Sequence, residues 1–77
     1  MRRTKRDETA RPYRLWDAKA LQDLRWRYYK EPRRAHIGAL IEARWAKVGT
    51  TIEVYNCVTG RLHGQYTRTV ISVTIRG

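Results

Sequence analysis

Residues 17–30 read DAKALQDLRWRYYK, and the fold class turns on this stretch. Asp17 is suited to cap a helix N-terminus, because its carboxylate accepts free backbone N–H groups. Leu21, Leu24 and Tyr28 recur at i, i+3 and i+7, with Ala18 beside them. That spacing places one apolar stripe on a helix of 3.6-residue period. Asp17 and Asp23 come early, and Arg25, Arg27 and Lys30 late, an order that complements the helix dipole. The pattern predicts a first helix over residues 17–30.

Downstream, Glu31-Pro32 ends that helix and opens a second, since Pro is well suited to the first helical position. The second helix is expected over 33–48, with Gly49 as its C-terminal stop. Ile37, Leu40, Ile41 and Val48, flanked by Trp45, form a large apolar face that should meet a sheet. Ala35, Ala39 and Ala43 form a small face, expected to meet another helix or a symmetry mate. Arg44 falls within the apolar stripe and is expected to snorkel outward, to pair with an acid such as Glu53, or to point into a binding surface, the first two being structural roles and favoured.

The last 27 residues change character. Residues 51–58 alternate and are rich in β-branched side chains, and Thr59-Gly60 is a hairpin signal. A second strand over 61–67 contains Gly64, which marks a bulge or a close contact. Apolar parity then switches from Leu62 and Tyr66 to Ile71, Val73 and Ile75, so a turn should lead to a third strand over 70–76. The expected class is α+β: two helices followed by a three-stranded antiparallel meander. Residues 1–14 are read as a flexible basic arm and residues 15–77 as one small domain.

The net charge is +10, with thirteen Arg and four Lys against seven acids. Residues 1–34 carry +7 of it. A charge of this size concentrates polyanions and favours phosphate contact. The single cysteine, Cys57, gives a monomer no disulfide framework. Residues 1–14 lack the apolar core of a secretory signal, and no apolar run approaches a membrane span. A cytoplasmic location and no membrane partner are expected. One Cys and two His without metal spacing predict no metal site, and no glycine-rich phosphate loop or paired carboxylates point to a cofactor or to acid–base catalysis.

The leading expectation is therefore a non-enzymatic nucleic-acid-binding protein, with DNA and RNA both open. Arg2, Arg3, Lys5 and Arg6 of the arm would follow the backbone. Trp26, among Lys19, Arg27 and Lys30, would offer an indole for stacking beside phosphate contacts. Arg33 and Arg34 occupy the first turn of the second helix, where the dipole disfavours cations, so local helix stability does not explain them. Phosphate, met together with the free N–H groups there, does. A homodimer is expected through the terminal strand or through the Ala35/Ala39/Ala43 face.

Two alternatives come from other classes. The first is a small protein-binding inhibitor or adaptor of the kind common in phages and plasmids, its charge selecting an acidic protein partner. The second is an enzyme. Arg61, His63, Tyr66 and Arg68 lie on the strands of a small basic chain, behind two expected helices. That arrangement is loosely similar to the ribosome-dependent mRNA-cleaving toxins, and the resemblance implies an RNase with those side chains acting on the phosphodiester. The chain is shorter than those toxins and lacks a strand before its expected helices.

Overall fold

The computed structural model describes residues 4–77, the side chains of residues 25–27 excepted. A short helix, α1 (Lys5–Ala10), precedes strands β1 (Tyr13–Asp17) and β2 (Gln22–Tyr29). Helix α2 (Pro32–Trp45) follows, then β3 (Thr51–Asn56), β4 (Leu62–Arg68) and β5 (Val73–Arg76). The five strands form one antiparallel sheet in the order β2-β1-β3-β4-β5. The class is α+β, but two helices followed by a three-stranded meander is not the architecture.

The expected first helix is a β-hairpin. The Asp17 carboxylate does accept two backbone N–H groups, from Lys19 at 3.0 Å and Ala20 at 2.9 Å. Those bonds close a turn rather than cap a helix, because the same side chain serves both motifs. Leu21 completes the turn at φ 55°, in the left-handed region. The Trp-Arg-Tyr-Tyr run then favours an extended strand. A register irregularity hides that strand from its own pattern. Arg14 pairs with Tyr28 and Trp16 with Asp23, so two steps along β1 match five along β2. Three extra residues invert the side-chain parity. Leu24 and Tyr29 thus both reach the core, although five positions separate them.

The segment expected as an arm also contains regular structure. α1 begins at a capping box in which the Thr4 side chain and Asp7 bond each other's backbone N–H. Tyr13 and Arg14 belong to β1, which lies inside the sheet with β2 on one side and β3 on the other.

α2 connects β2 to β3, which run parallel on either side of β1, and it packs across all five strands. Pro32 occupies its first turn, as the sequence suggests. The helix ends at Trp45, a turn before Gly49, which takes φ 92° in the following loop. Its orientation reverses the expectation. Ala35, Ala39 and Ala43 are fully buried against Leu15, Ile52, Val54 and Tyr66. Small side chains let the helix backbone approach the sheet, and this face is therefore not available to a second subunit. Leu40 alone of the large stripe packs against the core, while Ile37, Ile41, Trp45 and Val48 are exposed. Arg44 is exposed as well.

The β3–β4 turn uses Gly60 at φ 71°, as the Thr59-Gly60 signal implies. Val54 pairs with Gly64 but Tyr55 with Leu62, so His63 is an extra residue in a bulge. Among the described residues, no helix is long and apolar enough to cross a membrane.

Candidate functional site

α2 covers one face of the sheet, and alternation decides which side chains occupy the other. Leu15, Ile52, Val54 and Tyr66 turn toward the helix. Their neighbours Arg14 and Trp16 on β1, Glu53 and Tyr55 on β3, and Gln65 on β4 turn away from it. Tyr28, paired with Arg14, joins this open face from β2.

Arg14 organises that face. Its guanidinium lies 5.7 Å from the Trp16 ring centre and 5.8 Å from that of Tyr55. A cation this close to two aromatic rings is held by their quadrupoles. Its Nη1 also donates to Asp23 Oδ2 at 3.2 Å. Below it, the buried Glu53 carboxylate accepts from Gln65 Nε2 at 2.6 Å and from the Tyr55 hydroxyl at 3.4 Å. Burial raises the Tyr55 phenol above its ordinary pKa, and the Glu53 carboxylate adds to the shift, while Arg14 opposes it. Tyr55 therefore stays a neutral donor at physiological pH. The result is a half-exposed platform of rings and one planar cation.

A second constellation lies on the helix side. The bulge delivers His63 beside His36 of α2, with His63 Nδ1 3.4 Å from His36 Nε2. His36 Nδ1 lies 2.7 Å from the Tyr66 hydroxyl, and the tautomer decides which of the two donates. The Tyr13 ring meets His63 edge-on at 5.2 Å. A side chain at position 64 would run into the His36 ring, which explains the glycine there. Burial lowers the His36 pKa, and the neighbouring His63 lowers it further. The unfolded chain, with an ordinary histidine pKa of about 6.5, then takes up that proton first as pH falls. The stability tied to a neutral His36 is complete above about pH 6.5 and is lost as pH drops through the lower folded-state value. The urea midpoint is expected to fall between about pH 7 and 5.5, and His36→Gln should flatten that fall. A wild-type midpoint that holds steady across this range would contradict the assignment.

Of the residues expected to bind nucleic acid, the described ones are spread over several elements. Lys30, Arg33 and Arg34 are exposed near the strand–helix junction. Lys19 sits in the turn at the other end of β2, and Lys5 and Arg6 are exposed on α1. Arg2 and Arg3 lie outside the described residues, as do the side chains of Trp26 and Arg27. The sequence reading missed Arg14, Trp16 and Tyr55, although Arg14 and Trp16 flank Leu15 at strand spacing. It also gives His36 no role. Of the toxin-like set, His63 and Tyr66 converge on His36, but the order of two helices before the sheet, on which that similarity rested, is absent. Among the described residues, no group of three or more His, Cys, Asp or Glu side chains is placed to hold a metal ion.

No protein-family model matches the chain, and neither a curated protein nor a solved structure matches it.

Proposed function

We propose that this chain is a non-enzymatic nucleic-acid-binding protein of the cytoplasm and that its open sheet face takes the bases of a single strand. The observation that carries the reading is the Arg14 guanidinium close to both Trp16 and Tyr55, on the sheet face turned away from α2. Unpaired bases stack on aromatic rings and on guanidinium planes, and an antiparallel sheet presents such groups at a spacing that separate bases can occupy. Gln65 and Glu53 add hydrogen-bonding groups beside the rings. A net charge of +10 supplies the phosphate attraction that single-strand binding requires. A duplex keeps its bases stacked inside and cannot use the platform.

Fluorescence anisotropy with short single-stranded RNA, single-stranded DNA and duplex DNA tests this at about 50 and about 200 mM salt. A single strand should bind more tightly than the duplex. If about three phosphates are neutralised, its affinity should fall roughly tenfold or more across that range. The RNA should be recovered intact. Absence of binding at the lower salt, preference for the duplex, or cleavage of the RNA would each overturn the reading.

A further inference from the structure

With the alanine stripe of α2 turned inward, the opposite side of the helix carries large apolar groups into solvent. Ile37 and Ile41 are each 52 % exposed, Trp45 is 86 % exposed, and Val48 just beyond is 52 % exposed. The first three recur every four residues and so form one straight ridge about 12 Å long. A groove of about 540 Å³ runs along its N-terminal half, between Tyr29 and the ridge of Ile37 and Ile41. Arg33, Arg34 and Glu31 also line that groove. Arg44 and Lys47 are exposed at the other end of the ridge. Among the described residues, Glu31 is the one acid lining the groove, against Arg33 and Arg34, and Glu42 is half-buried. A contiguous apolar ridge with an outward Trp serves no folding purpose and marks an interaction surface.

We propose that this face docks an acidic amphipathic helix of a partner protein. The argument is charge complementarity. Four cations bracket an apolar ridge, so the partner needs aliphatic side chains at helical spacing with Asp or Glu on both flanks. Side chains from about three turns of such a helix would interleave with the Ile37–Ile41–Trp45 ridge and fill the groove beside Tyr29. A second copy of this chain fits poorly. Antiparallel pairing centred between Ile37 and Ile41 sets Arg34 against Arg44, and parallel pairing sets each cation against itself. A nucleic acid would find aliphatic side chains where stacking needs rings. The proposal is independent of the sheet-face reading, since α2's outer side and the Arg14–Trp16–Tyr55 platform lie on opposite faces of the molecule.

The test uses the full chain and a labelled helical peptide with leucines at helical spacing flanked by glutamates. A matched peptide with lysines in place of the glutamates and a single-stranded oligonucleotide serve as comparison and competitor. The acidic peptide should bind and the basic one should not. Trp45→Ala should weaken binding at least about tenfold, and its high exposure means that the fold should survive, as circular dichroism would verify. Reversing the charges in Arg34→Glu/Arg44→Glu should transfer the preference to the lysine peptide, whereas Trp16→Ala should leave peptide binding unchanged. The proposal is overturned if the acidic peptide does not bind, or if Trp45→Ala binds it as well as the wild type. Displacement of the peptide by the oligonucleotide would assign the face to nucleic acid instead. A wild-type dimer that Trp45→Ala dissociates in sedimentation equilibrium would assign it to self-association.

Discussion

Replacing Trp16 and Tyr55 together with alanine is expected to weaken single-strand binding on the order of a hundredfold, because each aromatic–base stack contributes about 1–3 kcal/mol. Both rings lie close to the Arg14 guanidinium, 5.7 and 5.8 Å from it, so their loss also removes two of its contacts. The salt dependence separates stacking from charge. No cation is removed, so the slope of log affinity against log salt should hold while the affinity drops. Arg14→Gln should show the contrasting pattern, a smaller loss with a shallower slope. Both rings face away from the alanine side of α2 and from the Leu15–Val54 core, so a folded variant is the expected outcome. Unchanged affinity in the folded double variant would remove the sheet face as the binding surface. The charge-driven reading would then fall back on Lys30, Arg33 and Arg34 at the strand–helix junction.

That fallback shows how unevenly the molecule can be read from its residues. The C-terminal half is legible because its signals are local. Thr59-Gly60 falls in the β3–β4 connection over residues 57–61, with Gly60 at positive φ, and Gly64 marks both the bulge and the close approach of His36. The N-terminal half is opaque for two physical reasons. Asp17 makes the same side-chain bonds in a turn as in a helix cap, so its motif does not distinguish them. The three-residue irregularity in β2 breaks the two-residue alternation and leaves Leu21, Leu24 and Tyr28 at a spacing that imitates a helix.

The candidate site was lost with the hairpin. A helix over 17–30 makes Trp26 the exposed indole and gives Trp16 no role, whereas a strand over 13–17 sets Arg14 and Trp16 on one face with Tyr55 across from Arg14. The reversal of α2 has a different origin. Its two faces differ in side-chain size, and size ordinarily marks the buried one. Here close packing of backbone on sheet places alanine inward, and only the register of Leu15, Val54 and Gly64 across three strands reveals that depth.

The hairpin and the helix make opposite predictions at Leu21, and the hairpin makes a further one at Leu15. Leu15 is fully buried between α2 and the neighbouring strands. Leu15→Ala removes a core side chain and leaves a cavity, a cost of about 2–5 kcal/mol. A chain of this length has a total stability of about 4–12 kcal/mol, so the variant should be marginal or unfolded at 37 °C. Leu21 is 72 % exposed in the β1–β2 turn at φ 55°. An L-residue there bears a steric cost of about 1–2 kcal/mol that glycine does not, offset in part by the extra chain entropy that glycine loses on folding. Leu21→Gly should therefore be neutral or stabilising by up to about 1 kcal/mol. A helix over 17–30 requires the reverse at this position, because Leu21 would lie in the buried stripe and glycine would add a helix penalty of about 1 kcal/mol to a cavity of several. Urea unfolding of the two variants beside the wild type decides between them. A large loss at Leu15 with none at Leu21 is the hairpin's signature, and a large loss at Leu21 would return these residues to a helix and take the Arg14–Trp16–Tyr55 platform with it.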